Sequence, residues 1–147
     1  MDVQIDNKGF ILGDHRFVYN LYFLEHGSEF AAPTSAGTFK KILVKWAEAL
    51  QRISKESSPM FLPFGPDDQW TDCLKATLIG DKIVFAFVRL AENGWGVFDF
   101  DLADFITSPH EIDDESSEFG EYSKEELVSA LLNAEVIDDS TPTESTS

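Results

Sequence analysis

The stretch WTDCLKATLIGDKIVFAFVRL, residues 70–90, contains two runs rich in β-branched, aromatic and other apolar residues, joined by Gly80–Asp81. Such side chains favour strands, and a two-residue loop that begins with glycine is typical of a tight hairpin of the II′ type. We therefore predict two antiparallel strands over residues 70–79 and 82–90. A turn at residues 92–94 then leads into WGVFDFD, residues 95–101, which we predict to be a third strand of a meander.

Upstream of the hairpin, residues 38–55 are predicted to form a long amphipathic helix. Apolar side chains recur there at i, i+3, i+4, i+7, i+11 and i+14, which places them in one stripe along a helix. They are Phe39, Ile42, Leu43, Trp46, Leu50 and Ile53. The opposite side is mainly basic, and Glu48 precedes Arg52 by four residues, a spacing that stabilises helices. We expect Trp46 to lie in the core and the basic side to be solvated.

Shorter elements are predicted at both ends of the chain. Alternating apolar residues on either side of a turn at residues 7–9 predict two short strands. The run RFVYNLYFL, residues 16–24, favours a strand covered on both faces, although its length would also permit a short buried helix. Ser123, with Glu126 three residues later, forms a capping-box pattern that predicts a short C-terminal helix. The predicted fold class is α+β: an antiparallel β-meander packed with one long amphipathic helix and a short C-terminal helix.

Length and composition predict one globular domain over residues 1–137, followed by a disordered polar tail over residues 138–147. The chain has 147 residues, of which 43% are hydrophobic, including thirteen phenylalanines. A chain of this size buries roughly 68–70% of its unfolded surface, which is enough for a core without disulfides or metals. The tail, DDSTPTESTS, has no core-forming side chain, and we expect it to be dispensable for folding.

The chain also carries features that bear on its compartment. Its single cysteine, Cys73, lies in a strand-like run and is expected to be a small buried apolar group rather than a nucleophile. The N-terminal residues MDVQIDNKGF lack the basic and apolar regions of a signal peptide, and no apolar run is long enough to span a membrane. We therefore expect a cytoplasmic protein.

Negative charge is concentrated in the last 57 residues. Residues 1–90 contain eleven acidic and ten basic residues, a net charge of −1, whereas residues 91–147 contain sixteen acidic residues and one lysine, a net charge of −15. Within SPHEIDDESSEFGEYSKEE, residues 108–126, eight carboxylates are interleaved with aromatic side chains. Such a segment is either a solvated loop or a surface for a basic partner, in which carboxylates attract and apolar residues are buried on contact. The predicted partner-binding residues are Asp99, Asp101, Asp104, Glu111, Asp113, Asp114, Glu115, Glu118, Phe119, Glu121 and Tyr122.

Patterns for other chemistry are incomplete in this sequence. A Ca²⁺-binding loop that starts at Asp99 would need glycine at its sixth position, which is Asp104. The three histidines are far apart, and the lone cysteine has no partner at the spacing of transition-metal ligands. There is no G-x-S-x-G elbow and no phosphate-binding glycine loop. We therefore predict neither enzymatic activity nor a metal or cofactor.

The acidic segment DFDLADFITSPHEIDDESSEFGEY, residues 99–122, together with the helix-plus-meander layout, resembles the immunity proteins of bacterial polymorphic or contact-dependent growth inhibition toxins. That resemblance implies a basic toxin domain as partner, such as a nuclease, which the acidic face would mask. It implies no direct contact with nucleic acid or with a membrane. The alternatives are a DNA mimic, in which spaced carboxylates imitate phosphates, and a small enzyme or ligand-binding module.

Overall fold

The computed structural model describes residues 1–21, 32–66, 69–91 and 102–137. The elements, in chain order, are β1 (Val3–Ile5), β2 (Gly9–Leu12), β3 (His15–Val18), α1 (Ser35–Gln51), β4 (Met60–Pro66), β5 (Thr71–Ile79), β6 (Lys82–Leu90), α2 (Leu102–Thr107), β7 (Ile112–Ser123), α3 (Lys124–Leu132) and β8 (Glu135–Val136). The predicted strand over residues 95–101 and the predicted tail over residues 138–147 lie outside the described residues.

The strands form two four-stranded sheets. One sheet has the order β3-β2-β1-β8, in which only β1 and β8 are parallel, and the other is the antiparallel meander β4-β5-β6-β7. Antiparallel sheets combined with a long central helix and a short C-terminal one confirm the predicted α+β class. Pairing of β8 with β1 brings the end of the described chain beside its start, a long-range contact that no local pattern predicts.

The β5–β6 hairpin confirms the strands predicted from residues 70–90. The pairing runs without a register shift from Thr71 opposite Leu90 to Ile79 opposite Lys82. Gly80 has a φ of +65°, a conformation that glycine adopts without the steric cost of a Cβ atom. Cys73 is fully buried on β5, as expected.

Helix α1 supplies the centre of the core. It begins at Ser35 rather than residue 38, because the Thr34 side chain caps it by accepting a hydrogen bond of 3.0 Å from the Gly37 N–H. The helix ends at Gln51, four residues before the predicted end. All six residues of the predicted stripe are buried, and Trp46 is fully buried. None of the described helices is both long and apolar enough to cross a membrane.

Three local predictions differ from the structure. Strand β3 leaves Arg16 and Val18 exposed, so in the described part of the run one of its faces is not covered. Glu48 forms an ion pair with Lys45 at 3.6 Å, whereas its sequence spacing predicts a pair with Arg52. Ser123 does precede α3, but its side chain makes no capping hydrogen bond. Ser123 is also the last residue of β7, where it is in register with Lys82.

Candidate functional site

The predicted acidic surface is a β-strand, which the sequence does not predict. Strand β7 has twelve residues, none of them fully buried, and it forms one edge of the meander because β6 lies on only one of its sides. Within the described residues, no strand pairs with its other side. The segment is extended because it pairs with the apolar strand β6, whereas its own Asp, Glu and Ser residues are poor strand formers.

The pairing of β7 with β6 contains three register shifts, two of which bring regularly spaced residues onto one face. Glu115 lies opposite Val88, Glu118 opposite Ala86, and Glu121 opposite Val84. Three residues of β7 therefore cover the length of two residues of β6, as expected when β-bulges add a residue to one strand. We call Glu115, Glu118 and Glu121 the glutamate row. Its members share one face of the sheet and follow each other at about 6.6 Å, the rise of two strand residues.

The glutamate row is only partly neutralised. The Glu115 carboxylate accepts a hydrogen bond of 2.5 Å from the Lys75 ammonium, which reaches across β6 from strand β5. Glu118 and Glu121 are exposed, and no ion pair of either is found in the described part of the chain. The row therefore presents two uncompensated carboxylates beside a paired one.

Asp113 and Asp114 lie on the same strand but are partly compensated by Arg89. Asp114 is in register with Arg89, which donates hydrogen bonds of 2.8 and 3.3 Å to Asp72 and lies 4.4 Å from the centre of the Trp70 ring. The hydrogen bond to Asp72 raises the pKa of Arg89; desolvation opposes the increase, and the charges of Asp72, Asp114 and Asp113 add to it. Both β7 carboxylates are nevertheless exposed.

Phe119 and Tyr122 are half-buried and fasten β7 to the β2–β3 hairpin. The Phe119 ring centre lies 4.6 Å from that of His15 and 5.5 Å from that of Phe17. The Tyr122 hydroxyl lies beside Gly13, and burial, with a smaller contribution from the charge of Asp14, raises the Tyr122 pKa. Both side chains therefore already pack within the chain, and burial of either against a partner stays a prediction.

The remaining predicted residues are not part of the glutamate row. Asp104 is exposed on α2, which packs against α1 and β4, the strand at the opposite edge of the meander. Glu111 is exposed immediately before β7, and its carbonyl accepts a hydrogen bond from the Ala91 N–H. Asp99 and Asp101 lie outside the described residues. The structure thus groups five predicted carboxylates on β7: Asp113, Asp114, Glu115, Glu118 and Glu121.

The described histidine and cysteine side chains, His15, Cys73 and His110, have separate surroundings in the fold. Cys73 is buried on β5, the His15 ring packs on Phe119, and a ring nitrogen of His110 lies 2.7 Å from the Phe105 carbonyl oxygen. Across the described residues, no group of three or more His, Cys, Asp or Glu side chains is arranged to hold a metal ion.

One cavity combines several hydroxyl groups with a histidine. It measures about 340 Å³ and lies between the segment after α1 and the segment after α2. Its hydroxyls are bonded within the chain: Ser58 Oγ accepts from the Leu78 N–H, and Ser108 Oγ donates to the Asp104 carbonyl. These groups stabilise the cavity wall, which gives no support to a small-ligand site there.

The glutamate row could not be found from the sequence. In a regular strand, residues three apart point to opposite faces, so the spacing of Glu115, Glu118 and Glu121 gives no sign of a common face. The concentration of acidic residues identifies the acidic segment in the sequence. Only the register of β7 with β6 shows that three of its glutamates lie in one row. Comparison of the chain with protein-family models, with curated proteins and with solved structures finds no match.

Proposed function

We propose that this chain is an acidic protein-binding inhibitor that acts by direct complex formation with a basic protein. In its most specific form, the proposal is an immunity protein that neutralises a basic bacterial toxin domain, such as a nuclease. The observation that carries it is the set of five exposed carboxylates on strand β7, three of them in one row.

The charge of the chain supports steering of a basic partner. The net charge is −16, and the backbone positions of neighbouring carboxylate residues on β7 are at most about 6.6 Å apart along the strand, less than the Debye length of about 8 Å at physiological salt. Their fields therefore add at the surface. Carboxylates arranged in this way raise the rate of association with a positively charged protein and disfavour acidic ones.

The placement of these carboxylates supports recognition as well as attraction. A flexible acidic loop would adapt to many basic surfaces, whereas β7 is held in register along β6 and fastened by the packing of Phe119 and Tyr122. The backbone positions that carry its charges are thereby fixed before binding. A backbone that is already ordered loses less conformational entropy on binding and favours a partner with matching positions.

A basic partner explains how binding would inhibit. Proteins that bind nucleic acid use Lys and Arg side chains to neutralise phosphates. An acidic strand seated over those side chains would occupy the surface that the substrate needs, without contacting the reacting atoms. Inhibition would then follow from masking of the substrate surface.

The even spacing of the glutamate row favours a DNA mimic as the second candidate. Glutamates whose backbone positions follow each other at about 6.6 Å on one face repeat negative side chains at a regular interval, as a phosphate backbone repeats its charges. A mimic would compete with DNA for several DNA-binding proteins, whereas an immunity protein would bind one toxin domain tightly. Competition with unrelated duplex DNA across several captured proteins distinguishes the two.

The experiment is affinity capture from an extract of the source organism, followed by an inhibition assay. The bait is the full chain; the matched bait carries Asp113→Asn, Asp114→Asn, Glu118→Gln and Glu121→Gln. We expect the first bait to retain a basic protein that the second retains poorly, and the purified chain to suppress the activity of that protein at roughly equal molar amounts. Equal capture by both baits, or activity unchanged at saturating chain, would contradict the proposal.

A further inference from the structure

We propose that the basic partner is bound by strand addition: an extended segment of the partner pairs with the outer edge of β7 and places Lys or Arg side chains at alternate positions beside the glutamate row. This inference rests on the proposed function and adds the mode of binding and the pattern of the partner's charges.

Strand addition first requires backbone groups on the outer edge of β7 that can pair with another strand. In an edge strand, alternate residues direct their N–H and C=O groups away from the sheet, where they can pair with an added strand. Strand β7 spans twelve residues, and in the described part of the chain no backbone hydrogen bond extends its ladder on the outer side. Bulges interrupt this edge at three places, so an extended segment of another chain would pair with the backbone groups that lie between them.

The orientation of the neighbouring elements leaves the glutamate row exposed. The β2–β3 hairpin packs against β7 through Phe119 and Tyr122. The row is defined by the other set of positions, opposite Val84, Ala86 and Val88, and its three carboxylates are exposed. An added strand can therefore place side chains beside them.

The negative charge of β7 favours pairing with a basic partner over pairing with a second copy of the chain. If two β7 strands paired with each other, carboxylates of one would face carboxylates of the other, and like charges in cross-strand pairs are destabilising. A strand that carries Lys or Arg forms opposite-charge pairs at the same positions. The acidic edge therefore disfavours self-association and favours a basic segment.

The bulges determine the spacing that such a segment needs. They bring glutamates three residues apart in sequence to the spacing of two strand residues, about 6.6 Å. In an unbulged strand, side chains on one face recur every second residue. Cations at i, i+2 and i+4 of a regular strand therefore match Glu115, Glu118 and Glu121.

The test measures binding of three synthetic peptides to the full chain by calorimetry, with hydrogen exchange of the β7 amides followed by NMR. The first peptide alternates Lys and Thr over seven residues, the second has the same composition with all its lysines contiguous, and the third is the alternating peptide with N-methylated backbone amides. All three carry the same charge, so attraction alone would not separate them.

We expect the alternating peptide to bind roughly fivefold or more tightly than either control, and to slow hydrogen exchange within β7. The expected factor corresponds to a few exposed ion pairs together with added backbone hydrogen bonds. Equal binding of the three peptides, binding of none, or protection of amides outside β7 would overturn strand addition.

Two charge-matched variants sharpen the test. Glu118→Gln with Glu121→Gln should weaken the alternating peptide roughly fivefold, whereas Asp113→Asn with Asp114→Asn should weaken it less, because these residues are not in the row. If the two double variants weakened peptide binding equally, the proposed match between the peptide lysines and the glutamate row would be wrong. The inhibitor proposal is decided separately, by capture and inhibition, so the two proposals can fail independently.

Discussion

Strands β6 and β7 are neighbours in one sheet and make opposite use of their side chains. Six of the nine residues of β6 are buried, and none of the twelve residues of β7 is. β6 lies between two strands and contributes to the core, whereas β7 forms the edge and carries five exposed carboxylates. In this fold, the paired interior fixes the backbone of an edge strand, whose exposed carboxylates do not contribute to the core.

This contrast separates stability from function in a testable way. Substitutions in the core should lower the free energy of unfolding without changing the charges of the edge, whereas substitutions in the glutamate row should leave the free energy of unfolding nearly unchanged and weaken binding.

The largest effect is expected in the core that supports both sheets. Trp46 is fully buried, and its ring centre lies 5.7 Å from that of Phe10 and 5.8 Å from that of Phe39. Trp46→Ala should lower the free energy of unfolding by about 3–5 kcal/mol, the usual range for deletion of a large buried aromatic, as measured by denaturant melts. Val18→Ala is the control, because Val18 is 70% exposed. A loss below about 1 kcal/mol at Trp46 would contradict its place in the core.

A smaller effect is expected where β7 is fastened to the rest of the chain. A Cβ atom at Gly120 would lie 2.7–2.9 Å from three atoms of the Tyr122 ring and hydroxyl. Gly120→Ala should therefore lower the free energy of unfolding by about 1–3 kcal/mol through overpacking. The double variant with Tyr122→Ala should be less destabilised than the sum of the single variants. Additive effects in this double-mutant cycle would show that Tyr122 does not hold β7 at this point.

Asp6 shows what a structural carboxylate does, in contrast to those of the glutamate row. Its oxygens accept hydrogen bonds of 2.8 Å from the Lys8 and Gly9 N–H groups and of 3.0 Å from Arg16. Asp6→Ala should cost about 1–2 kcal/mol, since two hydrogen bonds that close the β1–β2 turn and one that joins it to Arg16 on β3 are lost. Denaturant melts of the variant and the parent chain measure this difference.

The Asp6 interaction should also depend on pH. Burial raises the Asp6 pKa, but the hydrogen bonds from Lys8, Gly9 and Arg16, together with the Arg16 charge, outweigh burial and lower it below 3.8. A carboxyl whose pKa is lower in the folded state contributes its stability above the unfolded pKa and loses it as the pH falls through the folded value. The difference between the parent chain and Asp6→Asn should therefore shrink between about pH 5 and pH 3. A difference independent of pH would contradict this account.

The smallest effect on stability is expected in the glutamate row. Glu118→Gln with Glu121→Gln should change the free energy of unfolding by less than about 0.5 kcal/mol, because both side chains are exposed and make no ion pair in the described residues. Relief of repulsion between the two carboxylates would favour a slight gain. A loss above about 1 kcal/mol would show that the row serves the fold, and the contrast between β6 and β7 would fail.

The sequence predicts the elements whose patterns are local. The β5–β6 hairpin follows from two apolar runs around Gly80, and helix α1 follows from the stripe that includes Trp46. Strand β7 could not be predicted, because its conformation depends on pairing with β6 and its composition is that of a solvated segment. The pairing of β1 with β8 joins residues more than 130 positions apart, and no pattern within either strand encodes it.

For the candidate site, the sequence predicts the charge but not its geometry. Net charge identifies the acidic segment, and five of its carboxylates are grouped on β7. The bulges that align Glu115, Glu118 and Glu121 depend on the register in which β7 pairs with β6. The aromatic residues Phe119 and Tyr122 resemble interface anchors in the sequence, yet in the fold both pack onto the β2–β3 hairpin.

If the carboxylates of β7 steer a basic partner, the association rate constant should depend both on these carboxylates and on salt. The partner is the basic protein captured by the chain, and the measurement is stopped-flow mixing at ionic strengths from low to physiological. The edge variant carries Asp113→Asn, Asp114→Asn, Glu118→Gln and Glu121→Gln, which leaves the Lys75–Glu115 pair intact. The charge-matched control neutralises four exposed carboxylates elsewhere, in Asp2→Asn, Glu48→Gln, Glu56→Gln and Glu135→Gln.

At low salt, the edge variant should associate roughly tenfold more slowly than the parent chain and show a flatter dependence on salt, because charges close to an interface dominate steering. The control, with the same net charge, should remain close to the parent. If the edge variant associates at the parent rate at low salt, or if the control slows equally, the carboxylates of β7 do not steer the partner and the account is contradicted.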